Sequence, residues 1–492
     1  MVRVWAHGWV GIVASVSLSA LARAGPQAPV VFMEPRTTGG FGLPTYRAVT
    51  NEARLRELHQ WLDNESARRA LDLYALACGA ADSAADGTSP PPYYIALVPG
   101  GNHADRGFAL QTDTSTKDHS QRPYIKLDAD PDTFQTTLLH ETGHIVLAVL
   151  NRGEGVPRRE LAAIPHTTSA LTDRGTAFDE GFAIYLETLA AHLTQAPELR
   201  RYYHRERIDC ASPKQKVGEY FRHAVDLLTF SQTLARYHEV RENNFAFAPA
   251  HRGPDYLRVQ LEKVRDFATL RDANQLLQCE GFYASFFFAC TFRGDGLPPL
   301  DVLEERQRRL LATLAEMLRS YPADEDAPHL LHFVATYMRL FSDDAGEIVE
   351  VLNDLSHGVF VDADAVALWR EYYLAALRLD MPQLPKDRIN AARLRWREGV
   401  LSDPQVLHTR LGPQLSCRVP DCAVRLVALG KERPLQFDLN TAEEGVLRLI
   451  PGISDAEVTR WIAARAQRPF QSAADFRQRV ELSAAAAGKL RI

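Results

Sequence analysis

Residues 136–150 read TTLLHETGHIVLAVL, and this stretch decides how the central part of the chain is expected to fold. His140 and His144 flank Glu141 in an H-E-x-x-H pattern inside an apolar run. Residues four apart lie one turn above each other on one face of an α-helix, so both imidazoles can reach a single ion. The sequence therefore predicts a helix that carries two ligands of a metal site.

The segment before the motif has the signals of a helix start. Asp130 can cap a helix, and Pro131 suits the first helical position. Apolar residues then recur at helical spacing at Phe134, Leu138 and Ile145. We expect a helix that begins near Pro131 and continues through the motif.

A second segment, AFDEGFAIYLETLAAHL at residues 177–193, offers a carboxylate that would complete the site. A catalytic zinc ion has three protein ligands, and no histidine follows His144 at the spacing of the extended motif. Glu180 is the candidate third ligand, and Glu280, which also begins an EGF triplet, is the alternative. Gly143 and Gly181 would let two helices approach closely enough for a short carboxylate to reach the ion.

Together the two segments resemble the gluzincin peptidases, especially the aminopeptidase N superfamily, whose second helix carries the pattern NEGFAxYxE. The resemblance implies that His140, His144 and Glu180 bind Zn²⁺. It also implies a gluzincin-like domain in a mainly α fold with a small β-sheet. Asp179 stands where that family usually has asparagine. Asp179 and Glu187 are candidates to orient an imidazole, and a solvated charge on the helix surface is the equal alternative for both.

The resemblance implies a function as well, that of an exported zinc metallopeptidase. Zinc lowers the pKa of a bound water toward neutrality, and Glu141 would take its proton as the general base. The substrate would be a peptide or a protein. The chain has no G-x-M-E-N segment, which favours an endopeptidase over an aminopeptidase. No oxyanion donor is singled out among the candidates Tyr202, Tyr203, Tyr220, His223 and Tyr237.

The start of the chain has the pattern of a signal peptide. Arg3 precedes the apolar stretch WVGIVASVSLSALA, and residues 22–24 form an A-x-A cleavage site before Gly25. The apolar stretch is shorter than the roughly 20 residues that span a bilayer. We expect a periplasmic or secreted protein with no membrane span after cleavage. The net charge of -6 gives no bulk reason to expect binding to nucleic acid.

Six cysteines, an even number, fit an oxidising compartment. Cys417 and Cys422 flank a proline in CRVPDC, so a turn could bring them within disulfide reach. Cys279 and Cys290 would lie about 16 Å apart along one helix, which is too far for a bridge. The other two cysteines are Cys78 and Cys210.

The chain is expected to divide into five parts: a signal peptide at 1–24, a metallopeptidase-like domain at 25–300, a helical region at 301–405, a linker with the C-x₄-C pair at 406–436, and a helix-hairpin-helix domain at 437–492. Residues 25–90 look largely helical. Two strands, YYIALVP and PYIKLD, are expected on either side of a loop at 100–122. Nearly everything from 176 to 400 is expected to be helical.

The segment FDLNTAEEGVLRLIPGISDAEVTRWIAARAQRPFQSAADF at 437–476 resembles the helix-hairpin-helix domain of the competence DNA-receptor type. Its hairpin, residues 451–453, places backbone N–H groups at the start of a helix, a geometry that suits phosphate. Ser454 replaces the usual second glycine, and the arginines, including Arg460 and Arg465, are balanced by carboxylates. A non-catalytic envelope protein that binds DNA or a protein partner through this domain is therefore the alternative function, with a protein-docking or structural role slightly ahead of DNA.

Overall fold

The structure of the 492-residue chain is a computed structural model. It describes residues 28–36, 42–81, 90–112, 115–130, 133–134, 137–154, 156, 168–193, 232–249, 265–293, 298–321, 329–377, 383–426 and 431–492. The predicted signal peptide, Pro131 and Cys210 lie outside these ranges.

The N-terminal strands close into a small barrel with the order β1-β2-β4-β5-β3. Residues alternate between its two faces along each strand, as pleated backbone requires. In β3, Tyr94 and Ala96 face the barrel interior beside Phe108 and Tyr124. Tyr93, Ile95 and Leu97 face outward and pack against the neighbouring helices. The strands are β1 (Val30–Arg36), β2 (Thr45–Ala48), β3 (Tyr93–Leu97), β4 (Asn102–Gln111) and β5 (Thr116–Leu127).

The barrel confirms the two expected strands and corrects two other expectations. The region 25–90, expected to be largely helical, also contributes β1 and β2. The expected loop at 100–122 is a long hairpin, in which β4 pairs with β5. Its polar face hid the strand pattern, because the outer half of β4 and most of the start of β5 are exposed to solvent.

Helices dominate the rest of the described residues. Those before the C-terminal region are α1 (Glu52–Leu62), α2 (Glu65–Ala81), α3 (Thr137–Leu150), α4 (Arg174–Leu193), α5 (Gln232–Arg241), α6 (Ala273–Leu276), α7 (Glu280–Thr291), α8 (Leu300–Ser320), α9 (Leu330–Leu340), α10 (Ala345–Ser356), α11 (Ala365–Leu377) and α12 (Gln383–Ser402). A 3-10 helix at Asn244–Ala246 leads into the short pair β6 (Phe247–Pro249) and β7 (Arg265–Leu270), and a second follows α12 at Pro404–His408. Among the helices of the described ranges, none combines the length and the apolar character needed to cross a bilayer.

The centre of the fold is α4, which α3 and α7 contact on different sides. Residues 174–191 of α4 are all buried. At the α3 crossing, a Cβ atom added to Gly143 would lie 2.5 Å from Ala183 Cα. At the α7 crossing, a Cβ atom on Gly181 would overlap the side chain of Tyr283. Gly143 is therefore required where α3 and α4 cross, as the sequence indicated, whereas Gly181 was expected at the same crossing but instead allows close packing against α7.

The C-terminal region has its own core, which begins earlier than the sequence indicated. Residues 416–438, placed in the expected linker and at the start of the last domain, form an antiparallel hairpin of β8 (Ser416–Leu426) and β9 (Lys431–Asp438). Buried residues of this hairpin pack with Trp461 and Phe476 from the helices that follow. Those helices are α13 (Glu444–Leu447), α14 (Asp455–Gln467), α15 (Ala473–Arg479) and α16 (Ala484–Ala487). We call residues 416–492 the C-terminal module.

The cysteines in the hairpin correct the expected disulfide. Cys417 and Cys422 both lie in β8, on either side of a register shift, and no tight turn joins them. Both are free thiols, as are Cys279 and Cys290 at the two ends of α7. The Cys417–Cys422 bridge is therefore absent, and the expected separation of Cys279 from Cys290 is confirmed.

The α3–α4 crossing generates a prediction about stability. We expect Gly143→Ala to lower the free energy of unfolding by about 1–3 kcal/mol, because the new methyl group overlaps the backbone of Ala183. Gly79→Ala is the matched control, since Gly79 is exposed on α2 and nothing lies within 4 Å of its Cβ position. That change should stabilise the protein by about 0.5–1 kcal/mol. Denaturant unfolding followed by circular dichroism measures both, and equal effects would contradict the close crossing.

Candidate metal centre and C-terminal module

The two histidines of the motif meet on one face of α3. Their Nε2 atoms are 3.2 Å apart. Glu180, from α4, brings one carboxylate oxygen to 3.2 Å from His140 Nε2 and 3.5 Å from His144 Nε2. In a tetrahedral zinc site with bonds of about 2.0–2.1 Å, neighbouring ligand atoms lie about 3.3 Å apart. The three atoms therefore already have the spacing of three corners of such a site.

Two more carboxylates lie next to the Nδ1 atoms of the imidazoles, on the side of each ring away from Glu180. Asp179 Oδ1 lies 3.0 Å from His144 Nδ1, and Glu187 Oε1 lies 3.3 Å from His140 Nδ1. Both carboxylates come from α4, on either side of Glu180 along the chain. Asp179 is hydrogen-bonded to His144, and such a bond fixes the tautomer and keeps the Nε2 lone pair directed at the site. Glu187 lies at ion-pair distance from His140 but outside hydrogen-bond geometry, so of the two residues named from the sequence the structure shows the orienting bond for Asp179.

The imidazoles and carboxylates of the cluster stabilise each other's charged forms. Burial alone would lower the pKa of His140 and His144, but Glu180, Asp179 and Glu187 outweigh it. The result is a pKa of about 9 for His140 and one well above the usual range for His144. Burial would likewise raise the pKa of Glu180, but the two imidazoles hold it well below its usual range. Without a metal ion, the protons on His140 and His144 therefore supply positive charge next to the carboxylates.

Glu141 points to a different neighbour from its two flanking histidines. Its Oε2 accepts the backbone N–H of Ala104, in β4, at 2.6 Å. The side chain is buried, and burial raises the pKa of its carboxyl group. This hydrogen bond fastens the barrel to α3 beside the cluster. The sequence had assigned Glu141 the role of general base.

The alternative ligand Glu280 does not join this group. It lies at the start of α7. Among the described residues, the possible metal ligands that meet at this site are His140, His144 and Glu180. Tyr237, one of the candidate oxyanion donors, is buried, with its hydroxyl 2.8 Å from His192 Nδ1. The other candidates, Tyr202, Tyr203, Tyr220 and His223, fall outside the described residues.

The turn at residues 451–453 has the geometry expected of it, and a carboxylate binds the N–H of Ser454, the residue that follows the turn. Gly452 adopts a φ of +83°, which favours glycine and turns the chain into α14. Glu457 accepts the N–H of Ser454 at 2.7 Å and the N–H of Ser483 at 2.6 Å. The Ser454 hydroxyl and these N–H groups lower the pKa of Glu457 to about 2, so it stays ionised. A phosphate would meet a fixed negative charge at this position.

The arginines singled out in the sequence are mostly engaged within the module. Arg465 is buried and donates to Ala442 O at 2.6 Å, and Arg460 donates to Glu481 O at 3.0 Å. Arg468 and Arg479 both pair with Asp475, at 3.0 and 3.1 Å. These bonds hold the side chains in place but neutralise only part of their charge, because Arg468 and Arg479 share one carboxylate and exposed Arg460 bonds to a backbone carbonyl.

A buried ion pair fastens the module to the rest of the chain. The side chain of Arg271 has no solvent exposure and lies 3.0 Å from Glu443 of the module. The same guanidinium donates to Ser169 O at 2.7 Å. A buried charge needs such partners, because an unpaired one is strongly destabilising.

Amide side chains extend this contact. Gln278, just before α7, donates to Asp438 Oδ2 at 3.1 Å and accepts from the Thr441 hydroxyl at 2.8 Å. Gln275 donates to Thr441 O at 2.9 Å. Burial raises the pKa of Asp438 to about 6. The module is therefore held in one orientation by directional bonds.

The metal-centre helix takes part in the same junction. Arg174, the first residue of α4, donates to Gly412 O at 2.6 Å, in the segment that enters the module. It also donates to Asn274, whose amide oxygen accepts the Gly412 N–H at 3.0 Å. The helix that carries Glu180 thus begins at the attachment of the module.

Comparison with known proteins gives one match. Residues 437–491 match the family model of type II secretion system protein K. No curated protein and no solved structure matches the chain. By its description the matching family is a component of a secretion system. The match lies in the C-terminal module, whose sequence resembles the competence DNA-receptor domain.

This finding overturns the predicted activity. No peptidase family matches, and the family that does is part of a secretion machine. The prediction of an exported zinc endopeptidase that uses Glu141 as a base on peptide substrates is therefore wrong. The likeness to gluzincins concerns the arrangement of H-E-x-x-H and Glu180, and side-chain arrangement alone does not establish a reaction.

The buried junction generates a prediction about adjacent glutamates. We expect Glu443→Ala to lower the free energy of unfolding by about 3–5 kcal/mol, because it leaves Arg271 buried without its carboxylate. Glu444→Ala is the control: it removes the partly exposed pair with Arg448 and should cost less than about 1 kcal/mol. Thermal and denaturant unfolding of the full chain compare the two. Similar small effects would show that the junction contributes little.

Proposed function

We propose that this chain is an exported, non-catalytic component of a protein-secretion apparatus, and that its C-terminal module binds another protein of that apparatus on the periplasmic side. The observation that carries this proposal is the match of residues 437–491 to secretion system protein K. The signal-peptide pattern at residues 1–24 supports the location.

The chemistry of the module favours a protein partner over DNA. The ionised Glu457 binds the N–H of Ser454 beside the turn at 451–453, and Arg468 and Arg479 are paired with Asp475. Binding to the DNA backbone requires uncompensated lysine or arginine, and each such contact steepens the dependence on salt. The exposed residues of the hairpin and of the first turn of α14 remain available to a protein surface.

Rigid attachment suits this role. Arg271–Glu443 and the amide bonds of Gln278 hold the module on the helical body. A module fixed in this way presents its surface in one orientation, so little conformational freedom is lost when a partner binds.

We further propose that His140, His144 and Glu180 bind a zinc ion that bridges α3 and α4. The spacing of 3.2 to 3.5 Å among the three atoms and the carboxylate behind each ring support this. Imidazole nitrogen and carboxylate oxygen are ligands that zinc accepts. The ion would supply the positive charge that protons supply in its absence, and it would hold the two helices at their crossing.

Zinc content tests the metal proposal. His140→Ala and Glu180→Ala should each lower the zinc bound per chain by one equivalent, measured by mass spectrometry of the metal after purification. Glu141→Gln is the matched control, since Glu141 is buried on the same helix but bonds to Ala104 and is not a ligand. It should retain the full zinc content. Unchanged zinc in a folded Glu180→Ala protein would contradict the assignment.

Site-specific cross-linking tests the partner. A photoreactive amino acid at exposed Ala456, in α14, should cross-link the full chain to a type II secretion protein in the cell envelope. The same amino acid at exposed Lys117, on the barrel, is the control and should give no such product.

A DNA-binding assay tests the alternative that the module binds nucleic acid and not a protein. By fluorescence anisotropy at several salt concentrations, the full chain should bind duplex DNA weakly. Tight binding at physiological salt, with a steep salt dependence that is lost in Arg460→Ala, would show that the module recruits nucleic acid instead.

A further inference from the structure

A second group of histidines lies outside the proposed zinc centre. His329, His332 and His408 each offer one ring nitrogen, and these atoms all lie within 4.8 Å of one another. The ring centroids of His329 and His332 are 3.9 Å apart, and that of His408 lies 5.6 and 5.4 Å from the two. His329 and His332 are close in sequence, whereas His408 is distant, so tertiary packing brings it to the other two.

Local structure explains how the three rings meet. His329 is the N-cap of α9, and its Nδ1 accepts the Leu331 N–H at 3.3 Å. His332 follows three residues later and therefore lies on the same face of the helix. His408 is the last residue of the 3-10 helix Pro404–His408, which packs against α9.

Two of the three rings lie where burial favours the neutral imidazole. Burial lowers the pKa of His329 well below its usual range, and the neighbouring histidines and Arg174 lower it further. Burial and Arg174 also lower the pKa of His408. Neutral imidazoles have a nitrogen lone pair available, and Zn²⁺, Co²⁺, Ni²⁺ and Cu²⁺ bind such ligands.

We propose that His329, His332 and His408 form a second binding site for a divalent transition metal, with Zn²⁺ as its natural ion. The geometry is that of three ligands from two elements, whose nitrogen atoms must close from within 4.8 Å to about 3.3 Å around a bound ion. Small rotations of the side chains achieve this.

Two features make this site weaker than the centre at His140. Arg174 is a nearby cation, which opposes a second positive charge. Binding also breaks the capping hydrogen bond of His329: an ion on Nδ1 takes the lone pair that accepts the Leu331 N–H, and an ion on Nε2 moves the ring proton onto Nδ1. We therefore expect the second site to fill after the first in a zinc titration.

The histidine site lies next to the segment that leads into the C-terminal module. His408 is followed by the segment in which Arg410 O accepts from Asn274 at 3.3 Å and Gly412 O accepts from Arg174. Leu415, at the end of that segment, donates to Asp438 at 3.2 Å. A metal that joins His408 to α9 would fasten the start of this connection and so stabilise the attachment of the C-terminal module.

The experiment uses the full chain with the first centre removed. In a His140→Ala, His144→Ala background, zinc titration after metal stripping should still give one equivalent of bound zinc. Adding His332→Asn and His408→Asn should abolish that equivalent. His59→Asn, a change at an exposed histidine on α1 outside both clusters, is the matched control and should leave it unchanged.

A second measurement does not depend on the fold of a multiple variant. Co²⁺ added to the stripped wild-type chain should give two successive increases in visible d–d absorption, the later one lost in His408→Asn alone. Circular dichroism verifies that each variant is folded. Absence of bound zinc in the His140→Ala, His144→Ala protein would overturn the second site, as would zinc that persists after His332 and His408 are changed. If the wild-type chain binds a single equivalent of zinc, and that equivalent is lost when His332 and His408 are changed, the proposed centre at His140 would be contradicted and this site would stand.

Discussion

The close crossing of α3 and α4 at Gly143 and Ala183 is the constraint on which the rest of the structure depends. It brings Glu180 to the two histidines of α3 at distances that match the edges of a zinc tetrahedron. The same crossing places three carboxylates of α4 in a largely buried site. Such a concentration of negative charge is stable only when cations balance it, and here either protonated imidazoles or a metal ion can do so.

The crossing also connects the metal centre with the C-terminal module. Helix α4 begins at Arg174, which donates a hydrogen bond to Gly412 O in the segment that enters the module. Arg271 of the helical body forms an ion pair with Glu443 of the module. These contacts are directional and buried, so the module is part of one polar framework with the helical body. A secretion component that must present a docking surface in a fixed orientation benefits from this arrangement.

Sequence patterns predicted the features that depend on short spacing. The H-E-x-x-H helix, Glu180 and the role of Gly143 were identified, because helix geometry determines which residues share a face. Gly181 was assigned to the same crossing, but its close neighbour is α7. The barrel was only partly predicted, since pairing between distant strands is not encoded locally and β4 is polar along its exposed half. The group formed by His329, His332 and His408 was missed for the same reason: two elements far apart in sequence must pack before it exists.

The predicted activity failed for a different reason. Three residues at ligand spacing specify where an ion can bind, whereas a reaction also needs a substrate and groups that act on it. The turn at residues 451–453 shows a different limit: its sequence suited phosphate, but the carboxylate of Glu457 binds the N–H of Ser454, next to the turn, and the N–H of Ser483. The contact with Ser483 joins two segments that are distant in sequence, so it becomes visible only in the tertiary structure.

The most direct measurement of the central claim is hydrogen–deuterium exchange of the full chain with and without a purified type II secretion complex. If the module is the docking surface, exchange should slow around residues 451–456 and remain unchanged in α3 and α4. Slower exchange confined to the metal-centre helices, or no change in the module at saturating complex, would contradict the account.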